Sequence, residues 1–207
     1  MKIVTVSREF GSGGRELGKR LADELGFAYY DREIITAIAE QNQFHEGYVE
    51  NVLDNGAFSS YPITFGRTFS APVLLQQNAT AILVAQQKIL RDLVAKGQDC
   101  VIVGRCADVI LKEYQPLNLF VYADMDSKVH RCQERANEGE KLSYKELQKQ
   151  IKRVDTGRAR YRELLTDGKW GAKENYHLCV NTTGQNIKGL THWVADYARF
   201  WFSQQQE

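Results

Sequence analysis

Proline is scarce in this chain, three residues in 207, and no Pro-rich, Gly-X-Y or low-complexity tract is present, which excludes collagen-like and compositionally disordered proteins. Cysteine is equally sparse. The four thiols, Cys100, Cys106, Cys132 and Cys179, show neither C-x-x-C spacing nor a flanking histidine pattern, so neither a disulfide scaffold nor a zinc site is expected and they read as scattered thiols of a reducing cytoplasm. No stretch approaches the roughly 18 apolar residues of a membrane helix. The opening MKIVTV runs into charge at Arg8 and Glu9, which reads as no signal or transit peptide and a cytoplasmic location. Net charge is nearly absent too, 27 Lys and Arg against 26 Asp and Glu, which argues against a chain that coats nucleic acid. The four histidines, at 45, 130, 177 and 192, are too far apart to suggest a catalytic pair.

What remains is a globular composition, 43% hydrophobic and 26% charged, in a length that suits one domain with a substantial insertion. Short β-branched or apolar runs at Ile3–Val6, Phe27–Tyr30, Cys100–Val103, Leu117–Tyr122 and His177–Val180 read as strands. Between them, helical spacing is carried by Leu17, Leu21, Ala22 and Leu25 up to Gly26, by Ile34, Ile35, Ile38 and Ala39, by residues 73–96, by Met125–Asn137, by Tyr144–Leu165 and by Ile187–Phe202. Strands alternating with helices in this order predict a three-layer α/β/α fold around a five-stranded parallel sheet. Residues 56–72, GAFSSYPITFGRTFSAP, hold two of the three prolines and no acid and read as a long loop.

The first strand leads into Ser7-Arg8-Glu9-Phe10-Gly11-Ser12-Gly13-Gly14-Arg15-Glu16. Glycines there let backbone N–H groups converge, and the following helix adds partial positive charge at its N-terminus, so the turn is suited to a phosphate. Against G-x-x-x-x-G-K-[ST], with Gly13 as the second glycine, three fixed positions differ: 8 is Arg, 14 is Gly and 15 is Arg. A tight strand-to-helix turn that binds nothing is the plain alternative.

The run VTVSREFGSGGRELGKRLADELGFAYYDREII resembles the start of the cytidylate kinase-like family, whose pattern there is close to I-S-R-x-F-G-S-G-G-R-x-I-x-x-x-L-A-x-x-L-G-x-x-Y-Y-D. The likeness continues through VIVGRCAD at 101–108, FVYA at 120–123, Asp155-x-x-Arg158-x-x-Tyr161, Thr166-x-x-x-Trp170-Gly171 and Tyr176-x-Leu178-x-x-Asn181. It implies a P-loop nucleoside monophosphate kinase-like fold, with a core of 1–34, 73–140 and 166–207, a substrate-binding insertion of about 35–72 and a helical lid of about 141–165. It also implies that ATP, with Mg²⁺, meets the loop at Gly11, Ser12, Gly13, Gly14, Arg15 and Glu16. Arg15 then stands in for the loop lysine. The segment Lys149–Arg162 holds six bases and one acid and is similar to the arginine-rich lid of cytidylate kinases, with Arg153, Asp155 and Arg158 as the matches; a solvated basic helix is the alternative. Related kinases carry Gly-Arg-Asp after the third strand, with the arginine on the acceptor phosphate, which assigns Arg105 to that role. Cys106 replaces the aspartate there, and Asp108 is the remaining candidate. Asp31 ends the second strand and is either an acceptor or Mg²⁺ contact or a helix N-cap.

Two functions fit these residues. One is a phosphotransferase that moves the ATP γ-phosphoryl group to a small acceptor, a nucleoside monophosphate. The other is a catalytically weak or inactive nucleotide- or anion-binding regulatory module of the same fold, motivated by the missing lysine. The striped helix 73–96 makes a homodimer plausible, and Tyr161 and Trp170 are expected to anchor the lid by packing. Residues 21–66 carry eight acids and one base, so the near-zero charge conceals an acidic insertion facing a basic lid.

Overall fold

The computed structural model describes residues 1–55, 71–136 and 142–205. All five expected strands form: β1 (Ile3–Arg8), β2 (Ala28–Tyr30), β3 (Cys100–Val103), β4 (Leu117–Tyr122) and β5 (Leu178–Asn181). They make one sheet in the order β2-β3-β1-β4-β5, every neighbouring pair parallel. The central strand runs two residues past the expected Val6, because Ser7 and Arg8 remain paired with Phe120 and Val121 of β4.

Alternation along the strands sorts the core into two faces. Val4 and Val6, Val101 and Val103, and Leu119 and Val121 pack on α1 (Gly14–Leu25) and the C-terminal helix (Ile187–Gln204). Ile3, Cys100 and Ile102 face the opposite layer, built from α2 (Arg32–Asn42), α3 (Glu46–Asn55), α4 (Ala71–Ala95) and the short α5 (Ala107–Ile110). The result is the expected three-layer α/β/α sandwich. On the β4 side, α6 (Met125–Arg135) joins α7 (Tyr144–Glu163) through Val129, Leu147 and Ile151, and the C-terminal helix completes the series as α8.

Helix ends follow the expected chemistry. Gly26 closes α1 at φ +70°, where L side chains are strained. Ser143 and Glu146 form a reciprocal capping box that starts α7. α3 lies within the 35–72 insertion, which the resemblance implies is helical, although Tyr48, Val49, Val52 and Leu53 offer too short an apolar stripe to mark its bounds. The expected 56–72 loop lies outside the described residues except for its last two, which are already helical in α4; Asn137, at the expected end of α6, also lies outside them.

A parallel sheet places its ligand crevice where strand order reverses, at the carboxyl edge. Here that point is β1, flanked by β3 and β4. The glycine turn springs from it, and α1 lies so close beneath that a Cβ added at Gly18 would sit 2.7 Å from Val103 Cγ2. Gly18→Ala is expected to destabilise the fold by about 1–2 kcal/mol, overpacking outweighing the helix propensity gained. Gly189→Ala, where nothing lies within 4 Å, is expected to stabilise by about 0.5–1 kcal/mol, and urea titration of the two variants checks the opposite signs.

Candidate active site

The turn after β1 presents its backbone inward. Gly13 precedes α1 at φ +82°, and among the described residues no acceptor takes the N–H of Gly11, Gly13, Arg15 or Glu16. Those donors, with the α1 terminus behind them, form an anion cradle. Close approach from three sides shapes it. A Cβ at Gly11 would come 2.8 Å from the Lys128 carbonyl, one at Gly13 would come 2.7 Å from Ile187, and one at Gly14 would come 2.5 Å from Arg8 Cβ. Ser12 is wholly buried and turns its hydroxyl back to the Glu9 carbonyl at 2.8 Å, so its side chain supports the turn. Glu16 leans away, paired with Arg20 and Arg135.

A cavity of about 690 Å³ opens over the turn. Arg15, Arg131, Arg135 and Arg158 line it together with Glu50 of the insertion, and Leu142 and Leu147 supply an apolar wall. Of the residues expected from the lid, Arg158 reaches this cavity and donates from Nη1 to the Arg8 carbonyl at 3.1 Å. Arg153 faces solvent on the outer side of α7. Asp155 lies between them in function: its Oδ1 accepts the Phe10 N–H at 2.7 Å, and Lys128 Nζ lies 3.6 Å from its Oδ2 and 2.9 Å from Glu9. α7 is thus joined to the glycine turn by one backbone bond in each direction.

On the other side of β1, Gly104, Arg105 and Cys106 have φ values of +75°, +60° and +49°. Three consecutive left-handed residues, two of them with side chains, mark stored strain of the kind held at functional sites. Arg105 is buried there, and its carbonyl accepts from Gln86 at 2.7 Å. Asp31 is 3% exposed. It makes no side-chain cap to α2 and instead pairs with Arg15 Nε at 2.5 Å and Arg8 Nη2 at 3.7 Å, behind the turn rather than in the lining of the cavity. Asp108, by contrast, is drawn into the core by an ion pair with Arg162 and lines neither cavity. Tyr161 is buried in the core, and Trp170 packs edge-on against Phe120 with centroids 5.3 Å apart. The crevice among Arg105, Arg158, Leu53 and Trp170 holds about 20 Å³, room for one water. The structure is therefore closed at this crevice.

Arg8 and Lys128 escaped the sequence reading. For Arg8 the signal was present, as a cation at a position where the general pattern has glycine. For Lys128 there was none, since a lysine on a surface-patterned helix gives no hint of burial.

A family model described as the cytidylate kinase-like family matches residues 3–184. The chain belongs to that family. None of the curated proteins matches the sequence. Among solved structures, an uncharacterized protein from Eubacterium ventriosum ATCC 27560 is 24% identical with a TM-score of 0.69, covering 96% of this chain and 99% of that one. Shikimate kinase from Bacteroides thetaiotaomicron is 15% identical with a TM-score of 0.56, covering 96% and 98%, and TT1252 from Thermus thermophilus is 16% identical with a TM-score of 0.53, covering 96% and 97%. At these identities the likeness establishes the fold alone, the parallel α/β/α sandwich that this chain shares with those structures.

Burial raises Asp155 to about 6, against the opposing pull of the Phe10 N–H and of Arg158 and Lys128. A carboxyl whose folded value lies above its unfolded value of 3.8 takes up a proton more readily in the folded state, so its contribution is present at low pH and is lost as pH rises through about 6. Relative to Asp155→Asn, which mimics the protonated form, the wild-type protein is expected to lose on the order of 2 kcal/mol between pH 4 and 7. Denaturant melts of both proteins across that range measure it.

Proposed function

We propose that this member of the cytidylate kinase-like family is an ATP-dependent phosphotransferase that delivers the γ-phosphoryl group to a small acceptor, a nucleoside monophosphate. The observation that carries the reading is the meeting, in one cavity, of the unsatisfied N–H groups of the 11–16 turn with the guanidiniums of Arg15 and Arg158. Transfer through a loose transition state needs positioning and charge neutralisation rather than covalent chemistry.

ATP would set its phosphates against the N–H groups of the turn, which the glycines at 11, 13 and 14 leave free to face the cavity while Lys128, Ile187 and Arg8 pack close behind them. The chain's own provision for Mg²⁺ is slight. Among the described residues no group of three His, Cys, Asp or Glu side chains could hold a metal, the pattern's metal-holding hydroxyl is replaced by Arg15, and Asp31 is already shared by two guanidiniums. Mg²⁺ arriving with the nucleotide would be held by phosphate oxygens and water. Arg158 bridges the lid to the turn and lies against both cavities, so on closure it neutralises charge on the moving group and excludes water. Arg105, at the strained end of β3 and in the lining of the crevice, would take the acceptor's phosphate, and Asp31 a hydroxyl once an Arg pair is exchanged.

The regulatory-module reading rests on one observation, that Arg15 is ion-paired with Asp31 and so is not poised over the turn as a loop lysine would be. Turnover with ATP against CMP, dCMP, UMP, AMP and a hydroxylated carboxylic acid separates the two, since calorimetric ATP binding with no turnover on any acceptor would favour the module. For the transferase, Arg158→Ala is expected to lower kcat by about 10²–10³ while changing ATP affinity less than about threefold. An equal loss in both parameters would contradict the lid role.

A further inference from the structure

Two departures from the general phosphate-loop pattern, Arg at 8 for glycine and Gly at 14 for lysine, are one feature in space. A Cβ at position 14 would lie 2.5 Å from Arg8 Cβ and 3.0 Å from Arg8 Cγ. Any side chain at 14, lysine included, therefore collides with any side chain at 8. The pattern pairs glycine at the first position with lysine at the second; this chain pairs arginine with glycine. The adaptation extends to β3, where a Cβ at Gly104 would sit 1.6 Å from Arg8 Nη1, so the guanidinium runs through space that only a glycine leaves open.

The arginine's destination is as specific as its packing. It leaves the end of the central strand, its side chain is 8% exposed, and Asp31 steadies it at 3.7 Å. With Arg158, it lines both the 690 Å³ cavity over the turn and the crevice beside Arg105. These are the donor and acceptor sides of the proposed phosphotransferase, and the role of Arg8 rests on that reading. A cation at their junction stands where a phosphoryl group crosses.

We infer that Arg8 is a catalytic residue that replaces the absent loop lysine, its guanidinium contacting the transferring phosphoryl group from the floor of the cleft. The positive charge has been moved from one side of the turn to the other, and Gly14 is the steric condition of that move. Arg15 is left to hold Asp31.

The swap is testable by reversing it. Calorimetry compares the affinity for ADP in Mg²⁺ buffer with and without aluminium fluoride, which mimics the phosphoryl group in flight, so no acceptor need be known. In the wild-type protein aluminium fluoride is expected to tighten ADP binding at least a hundredfold. Arg8→Gly and Arg8→Met, the latter keeping a stem between Gly14 and Gly104, are expected to keep ADP affinity within about threefold and lose most of that gain. Adding Gly14→Lys to Arg8→Gly is expected to restore at least tenfold of it, whereas Gly14→Lys alone, with Arg8 in place, restores nothing and lowers thermal stability. A full gain in Arg8→Met, or a double variant no better than Arg8→Gly, overturns the role of Arg8 and leaves the transferase reading standing. A wild-type protein that binds ADP but gains nothing from aluminium fluoride overturns that reading, and the role of Arg8 with it.

Discussion

Missing Cβ atoms at the carboxyl end of β1 set the form of everything around it. Helices pack at distances fixed by their side chains, yet here α1, α6, α8 and the turn after β3 all close on one strand end. They do so because positions 11, 13, 14, 18 and 104 present hydrogen atoms where any other residue would present carbon. The five glycines admit four neighbours: α6 through its backbone, α8 through Ile187, β3 through Val103, and the Arg8 side chain at both 14 and 104. Interiors as dense as these do not yield to an added methyl without displacement.

Into that space the chain places charge, which is costly to bury and is tolerated only when paired. Two clusters result. Asp31 holds Arg8 and Arg15 on one side of the turn, and Asp155 holds the Phe10 N–H with Lys128 and Glu9 close by on the other. The glycine turn sits between a carboxylate just past β2 and a carboxylate from α7, and each carboxylate is occupied by groups of the turn and its neighbours. The guanidinium of Arg8 is desolvated and oriented by this pairing, whereas that of Arg15 stays half exposed.

Most of the sheet was legible in advance, since runs such as CVIV and LNLFVY, apolar on nearly every residue, suit strands covered on both faces. Gly26 marked a helix end for a local reason, and the order of motifs identified the family. The site was less legible wherever its partners are distant in the chain. Asp155 does pair with Arg158 three residues on, at 3.7 Å, but its shortest bond is to the Phe10 N–H, 145 residues away. Asp31 had two local readings, and neither announced its guanidinium partners, Arg8 and Arg15. Asp108 pointed to the cleft by its neighbours in sequence, but Arg162, 54 positions later, holds it in the core. Periodicity reports which face a residue takes; it does not report which charge waits there.

α7 is twenty residues long, about 30 Å, and it is held along its length: Leu147 and Ile151 pack on α6, Asp155 and Arg158 rest on the turn, and Tyr161 is sealed in the core, its hydroxyl held by the Gln86 amide at 2.7 Å. The same Gln86 amide also grips the Arg105 carbonyl. One side chain therefore splices the helix to the left-handed backbone after β3, and the two flanks of the central strand share a single polar joint.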